Sequence, residues 1–242
     1  MGKVLYLECN SGISGDMTVG ALLDLGADKD ALTKALQSLG VAGYQLHFGR
    51  TRKCGLDAYD FDVLLEDEGH GHEGDHGHDH DNLKVHRNLQ DIYTIIDRLD
   101  SGSKVKAMAK QMFGMVAEAE SKAHGIPVEE VHFHEVGAID SIVDIISVAV
   151  CVDSLGVDEI VVSPLAEGYG SVRCQHGVIP VPVPATANIA AAHGLKLRFT
   201  DNEGEMVTPT GAAIAAALGT RKKSSLLLSD LKDRDWCRKK GL

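Results

Sequence analysis

The spacing of apolar residues alternates along the chain between the two-residue period of strands and the three-to-four-residue period of helices. Short alternating or continuous apolar runs predict strands at residues 4–8, 44–48, 59–65, 160–162 and 197–199. Apolar positions at helical spacing predict helices at residues 17–25, 31–39, 89–99, 105–124, 140–155, 185–193 and 211–218. Strands and helices intermingle without an internal repeat. The expected fold class is therefore α/β of the mixed (α+β) kind, with a mixed sheet covered by helices.

Two segments lack a clear period, and small polar residues mark several helix starts. Residues 50–55 are basic and are expected to connect two strands, whereas residues 165–184 are rich in Gly and Pro and are expected to be mostly irregular. Asp28, Asp16 and Thr210 each precede or begin a predicted helix. Their side chains are predicted to cap the first backbone N–H groups of those helices.

Length, charge and cysteine content narrow the class of protein. The chain has 242 residues and a net charge of −11, which disfavours nucleic-acid binding because phosphate contacts need Lys and Arg. No uninterrupted apolar run reaches the roughly 18 residues of a membrane-spanning helix, and the N-terminus has too short an apolar run for a secretory signal. The five cysteines are widely spaced and odd in number, which favours a reducing, cytoplasmic location over a disulfide framework.

The segment at residues 69–82 differs from the rest of the chain in composition. It contains five histidines and four acidic residues and no aliphatic side chain. Such a segment is expected to be a disordered loop inserted into a folded domain, because it cannot bury apolar area. Imidazoles bind Ni, Cu, Zn and Co, so the loop is predicted to bind a transition metal, the alternative being a merely solvated loop. The predicted ligands are His70, His72, His76, His78 and His80.

A second candidate site lies at residues 131–144, before and within a predicted buried helix. If residues 131–135 are extended, His132 and His134 point to one side and Phe133 points to the core. These two histidines and Glu135 are candidates for metal binding or proton transfer. Asp140 joins them as a catalytic candidate, and it shares one helix face with the residue four positions later, Asp144. The simpler alternative is a capping Asp140 and an ion-paired Asp144.

Two Gly- and Thr-containing turns are candidates for phosphate binding. The first follows a predicted strand and precedes a helix, where backbone amides and a helix N-terminus can hold an anion. Its candidate residues are Ser11, Gly12, Ser14, Gly15 and Asp16. The second is the helix entry at Thr208-Pro209-Thr210-Gly211, where Thr208 and Thr210 are the candidates. Neither turn contains the Lys–Ser/Thr pair of a P-loop.

A third turn combines a thiol with an imidazole. Cys174 and His176 lie among glycines that permit close approach of a ligand, and alternate prolines follow at Pro180, Pro182 and Pro184. The pair could act as a nucleophile with its base, as soft-metal ligands, or as part of a substrate site. Sequence alone leaves these alternatives open.

Four motifs together resemble one known family. They are SGISGDM at 11–17, HFHEVGAIDSIVDI at 132–145, GYGSVRCQHGVIPVPVPAT at 168–186 and TPTGAA at 208–213. In order and spacing they resemble the nickel-insertion proteins of nickel-pincer cofactor biosynthesis (the LarC family), over residues 3–218. The histidine-rich insertion also fits this family.

The resemblance implies a chemistry. Family members insert nickel into pyridinium-3,5-bisthiocarboxylic acid mononucleotide, with CTP hydrolysed to CMP in the presence of Mn or Mg, to give the cofactor of lactate racemase and related enzymes. This activity makes them nickel-inserting cyclometallases, in the lyase class. By this resemblance, His132, His134 and Glu135 are candidates for holding nickel or accepting the ring proton. The 11–16 loop and Thr208–Gly211 are candidates for the substrate phosphate.

The chain departs from the family pattern at its C-terminus. Full-length relatives carry a further domain that resembles a CTP-binding, oligomerising module. The expected organisation here is a family domain at residues 1–219 and a basic tail at residues 220–242, which looks like the product of another reading frame. The expected partners are the nucleotide substrate and a full-length or C-terminal-domain copy, since full-length relatives are expected to be homo-oligomers. Two alternatives are nickel storage by the histidine tract and a metal-dependent phosphatase.

Overall fold

The computed structural model describes residues 2–53, 55–65, 87–131, 133, 139–174 and 176–220. The helices are α1 (Gly15–Asp24), α2 (Lys29–Gln37), α3 (Leu89–Asp97), α4 (Ser103–His124), α5 (Ile139–Leu155), α6 (Pro184–His193) and α7 (Pro209–Leu218), with a short 3-10 helix at Val128–Glu130. The strands are β1 (Val4–Leu7), β2 (Tyr44–Lys53), β3 (Leu56–Leu65), β4 (Glu159–Val162), β5 (Leu165–Tyr169), β6 (Ser171–Cys174), β7 (Gly177–Pro180) and β8 (Leu197–Glu203).

Parallel and antiparallel strand pairs both occur, which confirms the mixed α/β class. Within the described residues the strands form four two-stranded sheets. The pairs β1–β4 and β5–β8 are parallel, whereas β2–β3 and β6–β7 are antiparallel hairpins. A two-stranded sheet is marginally stable alone, and helices pack against two of these sheets, with α1 and α5 on β3 and α7 on β4.

Helix α5 is the centre of the hydrophobic core. Its sequence is apolar almost all round, and its residues from Ile145 to Val152 are buried without interruption. Helices α1, α2 and α4 pack against it. A helix with apolar residues on every side is stable only when it is surrounded in this way. Phe133, predicted to face the core, is 4% exposed. Among the helices described, none combines the length and apolar character needed to cross a bilayer.

Two predictions about irregular segments were wrong. The basic stretch at 50–55 belongs mostly to β2, where Arg50 pairs with Tyr59 and Arg52 with Asp57 across the hairpin. Residues 165–184 contain β5, β6 and β7. The strands were not predicted because Gly and Pro usually indicate irregular chain. Here Gly170 (φ 90°) and Gly177 (φ 92°) form the turns at the strand ends, and Pro180 is the last residue of β7.

Two predicted helix caps were also wrong. The N-cap of α7 is Thr208, whose Oγ1 accepts a hydrogen bond from Gly211 N at 3.0 Å, whereas Thr210 lies inside the helix and is buried. The N-cap of α1 is Ser14, and Asp16 lies in the first turn, where it accepts a hydrogen bond from Ser14 Oγ. Asp28 does cap α2, as predicted, by accepting from Ala31 N at 2.9 Å.

The loop after β1 packs directly on the start of α7. Ile13 N donates to Met206 O at 3.0 Å, and Thr208 N donates to Ile13 O at 3.2 Å. A Cβ on Gly12 would lie 1.9 Å from Met206 O, and one on Gly211 would lie 2.1 Å from Ile13 O. Glycine at these two positions therefore allows the first and the fourth sequence motifs to meet backbone to backbone.

Glu167 ties β5 to the same place. Its side chain is fully buried, and its Oε1 accepts from Gly168 N and Met206 N at 2.8 Å and from Val207 N at 3.3 Å. A buried carboxylate is costly unless several donors compensate it. Here three backbone N–H groups compensate Oε1, whereas the enclosed Oε2 has no hydrogen-bond partner among the described residues, and the Oε1 contacts fix the segment before α7.

Candidate functional site

A pocket of about 510 Å³ opens between the end of α4, the β6–β7 hairpin and the beginnings of α6 and α7. Pockets of roughly 300–1,000 Å³ accommodate small-molecule ligands such as nucleotides. Apolar side chains form most of the wall, and a few polar groups converge on it. The lining residues are Glu120, Ala123, His124, Phe133, Val172, Arg173, Cys174, His176, Ile179, Val183, Pro184, Ala185, Glu205 and Pro209.

Four of the polar residues form a row of neighbours. Glu120 Oε2 lies 3.4 Å from His124 Nε2. The ring centres of His124 and His176 are 4.9 Å apart. His176 Nδ1 lies 3.8 Å from Cys174 Sγ. A carboxylate, two imidazoles and a thiol therefore share one wall, and these groups both transfer protons and bind transition metals.

The beginnings of two helices face the pocket. Val183, Pro184 and Ala185 start α6, and Pro209 starts α7. The N-cap of α6 is Val183, whose side chain makes no capping hydrogen bond. The first backbone N–H groups and the helix dipole favour an anion at such an end. Arg173 adds a positive charge to the same wall.

The structure brings some of the sequence-predicted residues to this pocket. Cys174 and His176 lie on its wall. Thr208 and Thr210 flank Pro209, which also lines it. Phe133 contributes its ring. The predicted positions His132, His134 and Glu135, and the loop histidines His70, His72, His76, His78 and His80, lie outside the described residues.

A second group of predicted residues lies elsewhere, where α1 and α5 begin. Asp16 N–H donates a hydrogen bond to the Asp144 carboxylate, and Asp140 lies one turn before Asp144. None of these three aspartates lines the pocket. Asp144 Oδ1 is enclosed and has no hydrogen-bond partner among the described residues.

Burial, together with nearby like charges, changes the acidity of Asp140 and Asp144. Removal from water, followed by the charges of Asp16 and Asp140, raises the pKa of Asp144 well above its usual value. Partial removal from water, followed by the charges of Asp16 and Asp62, raises the pKa of Asp140 as well. Within the described parts of the chain, no three His, Cys, Asp or Glu side chains are already gathered to hold a metal ion.

Backbone amides of the 11–16 loop are largely committed to the fold. Gly12 N donates to Cys9 O at 3.2 Å, Ile13 N donates to Met206 O, and Asp16 N donates to Asp144. The side chains of Ser14 and Asp16 bind each other. The loop therefore supports the start of α7, and the neighbouring aspartates make its surroundings negative.

Sequence reasoning missed Glu120, His124 and Glu205, which also line the pocket. The sequence did contain a signal for Glu120 and His124. Glu120 and His124 are four residues apart in the last turns of α4, immediately before Gly125, so they share one helix face. That His124 meets the β6–β7 hairpin depends on tertiary packing, which the sequence pattern does not show.

The family model and the similar proteins found by comparison agree on one family. The family model described as "Nickel insertion protein" matches residues 5–230. A pyridinium-3,5-bisthiocarboxylic acid mononucleotide nickel insertion protein of Alkaliphilus metalliredigens is 59% identical over 224 residues, covering 91% of this chain and 53% of that protein. Proteins of the same name are 46% identical in Geobacillus kaustophilus (88% of this chain, 50% of that protein) and 43% identical in Akkermansia muciniphila (93% and 53%).

The lengths of these relatives show how much of such a protein this chain corresponds to. The chain spans about half the length of the curated relatives it matches. No solved structure matches it. The described fold and pocket therefore correspond to the matched half of these proteins.

Proposed function

Because this chain belongs to the nickel insertion protein family, we propose that its pocket binds pyridinium-3,5-bisthiocarboxylic acid mononucleotide and that nickel is inserted into the substrate there. The observation that carries this proposal is the composition of the pocket wall. A thiol, two imidazoles and a carboxylate lie beside two helix beginnings in a cavity of nucleotide size. The thiol, the imidazoles and the carboxylate are groups that bind nickel, and the two helix beginnings favour a phosphate.

The substrate is proposed to lie with its phosphate towards the start of α6 and α7. The uncapped start of α6, with Ala185 on the wall, and the guanidinium of Arg173 favour an anion there. Thr208 and Thr210 are proposed to shape the neighbouring turn. The pyridinium ring would then reach Phe133 and the Cys174–His176 hairpin, where apolar contacts can hold a flat ring.

The remaining predicted residues are assigned supporting roles in this proposal. The loop histidines at residues 70–80 collect nickel. His132, His134 and Glu135 are proposed to hold nickel or to accept the proton that leaves as nickel binds the ring. Asp140 is proposed to act with these three residues, and the 11–16 loop is proposed to hold the start of α7, which borders the pocket.

The finer features of the family follow as proposals. The product is proposed to serve lactate racemase-type enzymes, and the chain to act in the cytoplasm as a cyclometallase of the lyase class. CTP hydrolysis with Mn or Mg is proposed to need the half of the relatives that this chain does not span. Pairing with a full-length copy, or with a C-terminal-domain copy in a homo-oligomer, would supply that half.

Product analysis tests this proposal. The full chain is incubated with nickel and the mononucleotide, with CTP and Mn, and with or without the C-terminal half of the Alkaliphilus metalliredigens relative. We expect mass spectrometry to detect the nickel-containing product when both halves are present, and calorimetry to detect mononucleotide binding to this chain alone. Nickel binding without mononucleotide binding or product would instead identify a nickel storage protein.

A further inference from the structure

The side chains of Glu120, His124, His176 and Cys174 follow one another at separations close to those between the ligands and supporting carboxylate of a metal site. Sulfur and nitrogen ligands of one ion, with bonds of about 2.3 and 2.1 Å, lie roughly 3.0–3.6 Å apart. Cys174 Sγ and His176 Nδ1 are 3.8 Å apart, so a small side-chain rotation brings both onto one ion.

The two imidazoles are also at a suitable separation. Two rings bound to one ion through bonds of about 2.1 Å have centres roughly 4.5–5.2 Å apart. The ring centres of His124 and His176 are 4.9 Å apart. The third donor therefore comes from the end of α4, next to the hairpin that carries the other two.

Glu120 completes the pattern. A histidine that binds a metal through one ring nitrogen commonly donates its other N–H to a carboxylate. His124 Nε2 faces Glu120 Oε2 at 3.4 Å, which leaves Nδ1 for the ion. A hydrogen bond from His124 Nε2–H to this carboxylate would keep the tautomer whose Nδ1 can bind a metal.

We propose that His124, His176 and Cys174 form a nickel site within the pocket, with Glu120 as a positioning residue. This inference rests on the proposed function and specifies where nickel is held before transfer. When Ni²⁺ binds, the S–H bond of Cys174 breaks, its proton is released to solvent, and the sulfur electron pair forms the nickel–sulfur bond. No oxidation or reduction takes place.

The three donors have to move together before they can bind one ion. In the described residues no three donors already surround one point, so the side chains converge on the ion when it arrives. Three protein ligands leave one position open, as in sites where the metal reacts. The thiocarboxylate sulfurs of the proposed substrate are soft donors that can take that position and then replace the protein ligands.

Nickel titration of the full chain tests the site. The five histidines at 70, 72, 76, 78 and 80 are first replaced by asparagine, so that loop binding does not mask the pocket. We expect one nickel ion per chain, release of one proton, and the near-ultraviolet charge-transfer absorption of a nickel–thiolate bond. Absence of that absorption in this background would overturn the proposal.

Single variants identify the ligands. Cys174→Ser should remove the charge-transfer absorption, while Cys9→Ser, at a buried thiol that does not line the pocket, should keep it. His124→Asn and His176→Asn should each weaken nickel binding at least tenfold, and Glu120→Gln should weaken it about 10- to 100-fold, as supporting carboxylates usually do. Unchanged affinity in His124→Asn, with the same melting temperature as the parent, would contradict the assignment.

The chain offers a matched control for His124. His193 is also the last residue of a helix and is also followed by a left-handed glycine, but it does not line the pocket. His193→Asn should leave nickel affinity unchanged.

Mononucleotide binding, measured separately by calorimetry, distinguishes the two proposals. If the mononucleotide fails to bind, the proposed function fails; if it binds and product forms without a nickel–thiolate absorption, only the nickel site is wrong.

Discussion

The Asp144 side chain lies directly against the backbone of Gly15, so that a Cβ at position 15 would be 2.5 Å from Asp144 Oδ2. This contact joins the beginning of α1 to the buried helix α5. It also explains why a glycine occupies the first position of α1, where its backbone conformation alone does not require one. Two predictions follow from the two sides of this contact.

Gly15→Ala should destabilise the protein. The added methyl group would overlap Asp144 Cβ and Oδ2, so α1 or α5 must shift, at a cost of about 1–3 kcal/mol. Urea unfolding measures the change. Gly102→Ala, where an added Cβ meets no atom within 4 Å, serves as the control and should cost less. Equal stability of Gly15→Ala and the parent would show that the contact is loose.

The stability of the protein should fall as pH rises through the acidic range. The raised pKa of Asp144 means that the folded state binds more protons than the unfolded state above about pH 4, the usual value for aspartate. The stability that this group contributes is fully present below the unfolded pKa and is lost as pH rises through the folded pKa. Asp140 acts in the same direction.

Asp144→Asn should remove most of this slope and make the protein more stable than the parent at neutral pH. The neutral amide keeps the size of the side chain and no longer repels Asp16 and Asp140. Each unit by which burial raises a pKa corresponds to about 1.4 kcal/mol. Melting temperatures from pH 4 to 8 measure the effect. Asp153→Asn, on the exposed side of the same helix, is the control; a parallel pH profile for both variants would refute the assignment.

Glu167→Ala should strongly destabilise the segment before α7. It leaves three buried N–H groups without their acceptor, at roughly 1–3 kcal/mol for each group that water does not reach. Glu167→Gln should lose less stability, because the amide carbonyl oxygen can still accept hydrogen bonds from these N–H groups. Hydrogen exchange at Met206 and Val207 reports the local effect. Equal protection of these amides in Glu167→Ala and the parent would contradict this role.

Thr208→Ala should cost about 1 kcal/mol through the loss of the α7 cap. Because α7 begins at the pocket, mononucleotide affinity should fall together with stability. Thr94→Ala, on the exposed face of α3, controls for loss of a helical threonine and should change neither quantity. A variant that loses stability and keeps full affinity would separate the cap from the binding site.

Cys151 and Cys174 should differ sharply in reactivity. Cys151 is fully buried in α5, and burial raises the pKa of its thiol to about 12. It should resist a water-soluble alkylating reagent at about pH 8 until the protein is unfolded, because the thiolate is the reactive form. Cys174 lies on the pocket wall and should react in the folded protein. Peptide mapping identifies the labelled cysteine, and early labelling of Cys151 would show that α5 opens easily.

Local periodicity predicted the helices well, since the apolar faces of α3, α4 and α5 repeat over many residues. It failed for β6 and β7, which are short strands between glycines. It also could not place His124 beside His176, because 52 residues of chain separate two positions that only the folded core brings together.

The site residues divide in the same way. The shared position of Cys174 and His176 on the pocket wall was predictable because they are two residues apart on a turn. Asp144 was recognisable as an acid on an apolar helix, but its contact with Gly15 was not. Long-range contacts of this kind depend on how helices pack, and local sequence patterns do not reveal that packing.

The backbone bonds between Ile13 and the start of α7 have a consequence for how the protein is made. Their partners, Met206 and Thr208, emerge from the ribosome about 190 residues later. Strand β1 likewise has no partner until β4 has been made. Contacts of such high sequence separation form slowly. The strand β1 and the loop after it must therefore remain unpaired until β4 and the start of α7 have been made, and the pocket is completed only when the last helix of the described fold has been translated.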